Sequence, residues 1–327
     1  MGGPPGAQVG VSGTAQAFKA PEDDADAALG RLLAGLEGAG YAFISPTPAT
    51  HALAASRRPF ARPGDLRDVF GWGRAFAAGD IDRNLFAHLE AGGGLVREGD
   101  RFRCRHRVST LEGRLHLHSA RASDPDAVFL GPDSYRFTRF LRHALDSGPT
   151  WRRAVDIGAG AGAGALALAA RPGAGAVFAT DINPSALRCL SINARHAGLD
   201  VTARLGPGLM AVQGHFDLII ANPPYIADRA GRTYRDGGGM YGARLALDWM
   251  MESVPRLARG GRILLYTGAP IVDGRDVVRS ALEELATEAD LELGYEEIDP
   301  DVFGGVLRDP AYAEVERIAA VGAVLSR

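Results

Sequence analysis

Cysteine is almost missing from this chain of 327 residues, with Cys104 and Cys189 as the two examples. They lie far apart, and neither belongs to a C-x-x-C or C-x-x-H pattern. This spacing excludes a disulfide framework and argues against a structural zinc site. Cytoplasmic localisation, where thiols stay reduced, is therefore the prediction.

Long apolar runs are missing too, and no stretch of about 18 uninterrupted apolar residues predicts a membrane span. The N-terminus has no basic segment followed by a hydrophobic core, so it does not predict a secretory signal. Its glycine and proline content predicts a disordered leader over residues 1–20. The remaining composition, 46% hydrophobic and 23% charged, is typical of a globular protein of one or two domains.

Lysine is scarce, and the positive charge comes from arginine. Residues 51–153 contain 18 arginines against 12 acidic residues, although the whole chain has a net charge of −3. Such a basic segment on an acidic body suits an anionic partner. The alternative is a scatter of solvated surface arginines, and the charge alone does not choose between the two.

The first part of the sequence predicts a small α+β domain over residues 21–122, winged-helix-like and suited to substrate recognition. A helix follows Pro21, and further helices are expected around 64–78 and 80–92, the last capped by Asp80. The alternating residues that follow predict a β-ribbon with its two turns at 99–100 and 112–113. His116 and His118 alternate on this ribbon and are interpreted as solvated side chains, because no third ligand at a defined spacing supports a metal site.

From residue 123 to 327 apolar strands alternate with helices. This alternation predicts a doubly wound, Rossmann-like sheet of seven mainly parallel strands, with the last two strands forming an antiparallel edge. A helix around 133–147 begins the domain, and no fixed-period repeat is visible.

The first motif of this domain is "VDIGAGAGAGALAL", residues 155–168. Gly158, Gly160 and Gly162 remove the side chains that would keep a ligand from the backbone at the start of a helix. Dinucleotide-binding folds have a similar turn, so the glycines alone are a weak signal. Asp156 argues against a dinucleotide-binding turn, because its carboxylate would repel a pyrophosphate and attract an ammonium or sulfonium group.

The second motif is "FATDINPSAL", with Asp181 at the end of the next strand, about 20 residues after the glycine turn. A carboxylate in this place can accept hydrogen bonds from both hydroxyls of a ribose. The alternative is that Asp181 or Asn183 merely caps the following helix.

The third motif is "IIANPPY", residues 219–225. Proline cannot continue a strand ladder, so Pro223 ends the strand and leaves its own carbonyl free for a ligand. The motif lies at the strand edge where open α/β sheets bind ligands. A plain strand-ending turn is the alternative.

In this order the three motifs resemble the class I S-adenosylmethionine-dependent methyltransferases, in particular the N-P-P-Y branch that includes the release-factor N5-glutamine methyltransferases. The resemblance covers roughly residues 125–327. It implies S-adenosyl-L-methionine as cofactor and a planar nitrogen as methyl acceptor: a glutamine amide, adenine N6 or guanine N2.

The resemblance also implies roles for single residues. Asp156 would lie near the amino-acid portion of the cofactor, the three glycines at its methionine end, and Asp181 at its ribose, with Ile182 in the same cofactor site. The acceptor-side roles fall on Asn222, Pro223 and Tyr225. The side-chain oxygen of Asn222, itself beside the cofactor, and the carbonyl of Pro223 would accept the two N–H groups of the acceptor, and Tyr225 would stack on its plane.

Two segments differ from the release-factor methyltransferases. An R-P-x-T-E segment is replaced by "VFLGPDSYRF", residues 128–137, and "ARLGPGL" carries no acidic residue to meet the adenine amine. Adenine contacts would then come from backbone or apolar groups. Residues 226–241 are interpreted as a lid.

The acceptor and the oligomeric state stay open at this point. A glutamine-containing protein loop is the first choice. A nucleic acid whose flipped base stacks on Tyr225, a small amide or amine, and a regulator that merely senses the cofactor are the alternatives.

Overall fold

The computed structural model describes residues 24–57, 65–120, 126–146, 150–226 and 236–327. The predicted leader over residues 1–20 lies outside these ranges. No helix within them is long and apolar enough to cross a membrane. Cys104 and Cys189 are both free and buried, which agrees with the expectation that they form no disulfide.

The described residues of the N-terminal part form four α-helices and two hairpins. In chain order these are α1 Asp24–Gly38, α2 Pro48–Arg57, α3 Leu66–Phe70, α4 Arg83–Ala91, β1 Leu95–Glu98, β2 Arg101–Cys104, β3 His106–Leu111 and β4 Arg114–Ser119. The predicted ribbon exists as two separate two-stranded sheets, β1–β2 and β3–β4, with turns at the expected places. Apolar residues of α1 and α4 share one buried cluster with residues of both hairpins.

The cap of α4 differs from the prediction. Asp82 accepts hydrogen bonds from the backbone N–H groups of Asn84 and Leu85. Asp80 instead accepts one from the backbone N–H of Ala77, in the turn before the helix. Both aspartates suit a cap, and the observed cap lies two residues later than the sequence pattern suggested.

The two ribbon histidines are also placed differently from the prediction. His116 and His118 are each only 2% exposed, because strand β4 packs against the C-terminal part of the molecule. His118 Nε2 lies 2.8 Å from Ser109 Oγ, and His116 Nδ1 lies 3.2 Å from the carbonyl oxygen of Arg114. The interpretation as solvated side chains is therefore wrong. Within the described ranges, no group of three or more potential ligands is arranged to hold a metal ion.

The C-terminal part is an α/β sandwich. Its elements are α5 Pro132–Leu145, β5 Arg153–Ile157, α6 Ala163–Ala169, β6 Ala176–Asp181, α7 Pro184–His196, β7 Thr202–Leu205, β8 Phe216–Ala221, α8 Arg244–Ser253, β9 Leu257–Val272, β10 Arg275–Asp276, α9 Val277–Ala289, β11 Glu292–Asp299 and β12 Val315–Ser326. The sheet order is β11-β12-β9-β8-β5-β6-β7, and the short β10 pairs with β9. Strands β5 to β9 pair in parallel, and β12 is antiparallel to both of its neighbours. The predicted Rossmann-like fold is confirmed.

Two apolar clusters cover the two faces of this sheet. Residues of α5, α6 and α7 pack in one cluster, and residues of α8 and α9 pack in the other. Because strand side chains alternate between faces, Ala154 joins the first cluster and Val155 the second. Both faces are thus covered, which explains why the strands read as continuous apolar runs.

The N-terminal part is joined to the sheet domain by polar groups on α7. Asn193, fully buried, accepts a hydrogen bond from the backbone N–H of Leu117 at 2.7 Å and donates to its carbonyl oxygen at 3.1 Å. Its amide also donates to the carbonyl oxygen of Ala161, in the glycine turn, at 3.0 Å. One side chain therefore connects hairpin β3–β4 to the loop after β5.

Candidate functional site

A cavity of about 220 Å³ lies at the carboxyl ends of the parallel strands β5, β6, β7 and β8. This is the edge at which open α/β sheets bind ligands. The residues that line it are Ala127, Val128, Phe129, Gly158, Gly160, Asp181, Ile182, Asn183, Ala186, Gly206, Pro207, Gly208, Asn222, Pro224, Leu245 and Trp249. All three sequence motifs contribute to this set.

The glycine turn after β5 takes a backbone conformation that side chains oppose. The φ angles of Gly158, Gly160 and Gly162 are +68°, +55° and +91°. A Cβ atom at Gly158 would lie 2.5 Å from the ring of Trp249, whereas one at Gly160 would meet no atom within 4 Å. Gly162 caps α6 beside Leu190 and does not line the cavity. Open space at Gly160 is what a ligand approaching the backbone requires.

Asp181 joins the end of β6 to the glycine turn. Its carboxylate accepts hydrogen bonds from the backbone N–H of Gly160 at 2.9 Å and from that of Asn183 at 2.8 Å. Burial raises the pKa of this carboxyl, and the backbone N–H donors oppose that rise. The cap of α7 is Asn183, which accepts from the N–H of Ser185. Asp181 is therefore not the side chain that caps this helix, and it faces the cavity beside the half-exposed Ile182.

Asp156 lies behind the glycine turn. It is 1% exposed, does not line the cavity, and accepts a hydrogen bond from the backbone N–H of Ala165 at 2.7 Å. A Cβ at Gly164 would lie 2.7 Å from this carboxylate, so glycine there leaves room for it. Desolvation raises the pKa of Asp156 to about 8, and the negative charge of Asp181 adds to the rise.

The N-P-P-Y segment follows β8 directly. Asn222 lines the cavity, and within the described part of the chain its amide forms no hydrogen bond. Pro223 is buried below it, and Pro224 rather than Pro223 contributes to the cavity wall. A free amide at the edge of a ligand cavity is available to a substrate.

Tyr225 is held in an aromatic and acidic cluster. Its ring lies directly against Gly268 of β9, where a Cβ atom would collide with it, and against Phe303 at 5.7 Å between ring centroids. The buried hydroxyl faces Asp133, which accepts a hydrogen bond from the hydroxyl of Tyr266 at 3.0 Å. Burial raises the pKa values of Asp133 and of both tyrosines.

An ion pair continues this cluster toward the surface. Arg136 lies 3.5 Å from the carboxylate of Asp133 and donates to Asp299 at 2.9 Å. Only 6% of Tyr225 is exposed, and its ring does not line the cavity.

Several cavity residues have no counterpart among the sequence predictions. Trp249 and Leu245 come from α8, and Phe129 comes from the segment before α5. No local pattern identifies them, because they reach the cavity only after the sheet has formed.

Most of the predicted lid over residues 226–241 lies outside the described residues, which stop at 226 and resume at 236. The two flanks are close together: Ile226 and Asp236 form a β-bridge, and the N–H of Gly237 donates to the carbonyl oxygen of Ile226 at 2.8 Å.

Comparison with known proteins agrees with this geometry. Residues 127–238 match the family model described as methyltransferase small domain. The release factor glutamine methyltransferase of Deinococcus radiodurans is 35% identical over 136 residues, which is 41% of this chain. The chain matches 40% of the length of that relative.

Similar solved structures include Trm5b from Pyrococcus abyssi and an rRNA methyltransferase from T. Thermophilus. Trm5b from Pyrococcus abyssi has a TM-score of 0.49 at 18% identity, over 86% of this chain and 78% of its own. The 16S rRNA N2 G1207 methyltransferase from T. Thermophilus has a TM-score of 0.45 at 18% identity, over 76% of this chain and 63% of its own.

The matched range of residues 127–238 contains all three motifs on which the resemblance was based. The predicted family and the prediction of S-adenosyl-L-methionine as cofactor are confirmed. Residues 127–238 of this chain are therefore similar to a methyltransferase small domain.

Proposed function

We propose that this protein transfers a methyl group from S-adenosylmethionine to the side-chain amide nitrogen of a glutamine in a protein loop. The observation that carries the proposal is the free Asn222 amide at the cavity edge, directly before two prolines. The release factor glutamine methyltransferase at 35% identity supports the choice of a glutamine amide over other planar nitrogens.

The residues present fit the cofactor. The backbone at Gly160 has open space beside it, Gly158 also lines the cavity, and Asp181 presents an acceptor carboxylate beside this turn. Ile182 and Gly206–Gly208 offer apolar and backbone surface, in agreement with the absence of an acidic residue after β7. When bound, the cofactor supplies an electrophilic methyl group on a sulfonium.

Asp156 and Gly162 have an indirect part in this proposal. Asp156 binds the N–H of Ala165 and so fixes the first turn of α6 relative to β5. Gly162 gives the turn its left-handed φ before the helix. Both hold the glycine turn in place, and neither lines the cavity.

The protein's own groups position the acceptor nitrogen. An amide nitrogen is a poor nucleophile, because its lone pair is delocalised into the carbonyl. The side-chain oxygen of Asn222 and the carbonyl oxygen of Pro223 would each accept one N–H, which orients the lone pair and favours positive charge on nitrogen. The nitrogen would form one bond to the methyl carbon as the carbon–sulfur bond of the sulfonium breaks, and it would release one of its protons to water.

Tyr225 is proposed as the flat wall against which the acceptor amide packs. The ring is fixed between Gly268 and Phe303, so it can be contacted without being reordered. Phe303 is 36% exposed and extends this wall toward solvent. A rigid aromatic surface costs little conformational entropy on binding.

We assign substrate recognition to the N-terminal part, proposed as the domain over residues 21–122, and catalysis to residues 123–327. A nucleic-acid acceptor is the main alternative. The basic excess that suggests it is partly neutralised locally, because Arg67, Arg74 and Arg103 each pair with an acidic neighbour.

The test is incubation of the purified protein with methyl-labelled S-adenosylmethionine and a cell lysate, followed by separation of protein, RNA, DNA and small molecules. Label is expected in protein, and N5-methylglutamine is expected in its digest by mass spectrometry. Label confined to RNA, DNA or small molecules would contradict the proposal that a glutamine amide is the methyl acceptor. The Asn222→Ala variant serves as the control for labelling by contaminants.

A further inference from the structure

A second cavity, of about 210 Å³, lies between the N-terminal part and the sheet domain. It is bounded by the start of α2, hairpin β3–β4 and the segment 127–130. Residues Ala127, Val128 and Phe129 line both this cavity and the cofactor cavity, so a single stretch of backbone separates the two. Its polar lining is Ser45, His51, Arg107, His118 and Ser119.

Arg107 lies in this lining and has no counter-ion among the described residues. Its Nε is buried and has no hydrogen-bond partner, and its Nη2 lies 3.5 Å from His51 Nδ1. No carboxylate of the described residues forms an ion pair with it. His51 Nε2 is likewise buried and without a partner. Burying Arg107 Nε and His51 Nε2 without a partner is costly, unless a ligand meets them.

The two histidines do not add to the positive charge of the cavity. Burial, together with the nearby charge of Arg107, lowers the pKa of His51 to about 4 and that of His118 to about 3. Both rings are therefore neutral at pH 7, and each presents an N–H or an acceptor nitrogen. The cavity thus carries one positive charge surrounded by neutral hydrogen-bonding groups.

A chain of hydroxyl contacts fixes this arrangement. His118 Nε2 lies 2.8 Å from Ser109 Oγ, which lies 2.8 Å from Ser45 Oγ. Ser119 Oγ accepts the backbone N–H of Val128 at 2.9 Å and keeps its own proton for another partner. The polar side of the cavity is thus formed by hydrogen-bonded groups of hairpin β3–β4 and of Ser45. Ser119 also connects this side to the wall that the cavity shares with the cofactor cavity.

We propose that this cavity is a carboxylate-binding subsite for the methyl acceptor, with Arg107 as the ionic partner and His51 and Ser119 as additional donors. One guanidinium matches the single charge of a carboxylate and its planar shape. A nucleic-acid backbone would need several cations, and among the described residues Arg107 is the single arginine in this lining. Assignment to the acceptor rests on the proposed methyl transfer, but anion binding itself does not.

The test is an NMR titration of the full-length protein with acetate, and separately with inorganic phosphate. The signals of Trp72, whose ring centroid lies 5.5 Å from that of His51, report binding. Saturable acetate binding is expected, weakened about tenfold or more by Arg107→Gln, because a charge-assisted hydrogen bond is lost. Arg114→Gln, on the same hairpin, is the matched control, because the Arg114 side chain donates to the Glu112 carbonyl oxygen and does not line the cavity.

Arg107→Lys keeps the charge and should retain acetate binding within a few-fold. It also provides a second variant if Arg107→Gln does not fold. No saturable binding of acetate, equal acetate affinity in Arg107→Gln, or a clear preference for phosphate would each overturn the carboxylate subsite. Phosphate preference would point to a nucleic acid.

A kinetic measurement links the subsite to the acceptor. Arg107→Gln should raise KM for the labelled acceptor while kcat stays within a few-fold, since the group binds away from the reacting nitrogen. An unchanged KM in Arg107→Gln would show that the anion site does not bind the methyl acceptor. The titration needs no methyl transfer, so a failure of the glutamine proposal would leave its result intact.

Discussion

The carboxylate of Asp181 accepts a hydrogen bond from the backbone N–H of Gly160 at 2.9 Å. This contact joins the ends of two neighbouring strands and fixes the glycine turn relative to the proposed ribose acceptor. Because the second carboxylate oxygen accepts from the N–H of Asn183, the side chain is held in one orientation before any ligand arrives. The same residue therefore serves as a ligand group and as a support for the cofactor loop.

Replacing Asp181 should weaken cofactor binding in steps. Asp181→Ala removes both the proposed ribose contacts and the hydrogen bond from Gly160, and a loss of about 1.5–3 kcal/mol is expected for hydrogen bonds to a charged group. Asp181→Asn keeps one acceptor oxygen, so its affinity for the cofactor should lie between the affinities of Asp181→Ala and of the wild type. Calorimetric titration with S-adenosylhomocysteine measures both. Equal affinity in all three proteins would remove Asp181 from the site.

A methyl group at Gly158 should be poorly tolerated because of Trp249. Gly158→Ala adds strain at a φ of +68° and a collision at 2.5 Å, so a loss of about 2–4 kcal/mol in unfolding free energy is expected. Gly173→Ala is the matched control, with a φ of +71° and no atom within 4 Å, and should lose about 1 kcal/mol.

A double variant separates the two causes. In Gly158→Ala combined with Trp249→Ala the collision disappears while the backbone strain remains. Urea denaturation of the four proteins gives the coupling energy between the two sites. Strict additivity of the two single changes would show that the contact between Gly158 and Trp249 does not matter.

The buried Asp156 should make stability depend on pH. Its folded pKa of about 8 lies above the ordinary value of 3.8, so the native state holds the proton more tightly than the unfolded chain does. Its contribution is complete below about pH 4 and is lost as the pH rises toward 8, by at most about 1.4 kcal/mol per unit.

Asp156→Asn cannot titrate and should flatten this dependence. Urea denaturation between pH 5 and 8 compares the slopes of wild type and variant, each fitted with the same m-value. Parallel curves for the two proteins would mean that the carboxylate stays ionised in the native state.

The two tyrosines near Asp133 should differ in their response to loss of the hydroxyl. Tyr266→Phe removes the donor to a buried carboxyl, which costs about 1–3 kcal/mol. Tyr225→Phe keeps the ring between Gly268 and Phe303 and removes a hydroxyl without a hydrogen bond, so stability should change little.

Enzymatic activity distinguishes the ring of Tyr225 from its hydroxyl. Tyr225→Phe should keep turnover within a few-fold, and Tyr225→Ala should raise KM for the acceptor, since the flat wall is gone. Initial rates with labelled cofactor measure both variants. Full activity of Tyr225→Ala would exclude the proposed packing of the acceptor against this ring.

The sequence predicted the ligand edge best at positions where the local chemistry of a residue type limits its possible roles. Glycines at a strand end and an asparagine before two prolines predicted the ligand edge, because their chemistry is local. Trp249 was not predictable in this way, since it reaches Gly158 only through the packing of α8 on the sheet. The same holds for Phe129, which lies between the two cavities.

Burial was the property that the sequence pattern predicted least well. His116 and His118 alternate as exposed strand residues do, yet the hairpin packs on α7 through Asn193 and encloses them. Asp156 sits at a strand end, and whether it faces the ligand or the helix behind depends on the room left by Gly164. Such outcomes depend on contacts between distant segments, which a local pattern does not contain.

The central claim is that Asn222 positions the acceptor nitrogen and contributes little to holding the cofactor. The most direct measurement compares wild type and Asn222→Ala in two ways: S-adenosylhomocysteine affinity by calorimetry, and transfer of labelled methyl groups to protein in a lysate. The account predicts that transfer is abolished while affinity stays within a few-fold. Methyl transfer by Asn222→Ala at the wild-type rate would contradict it.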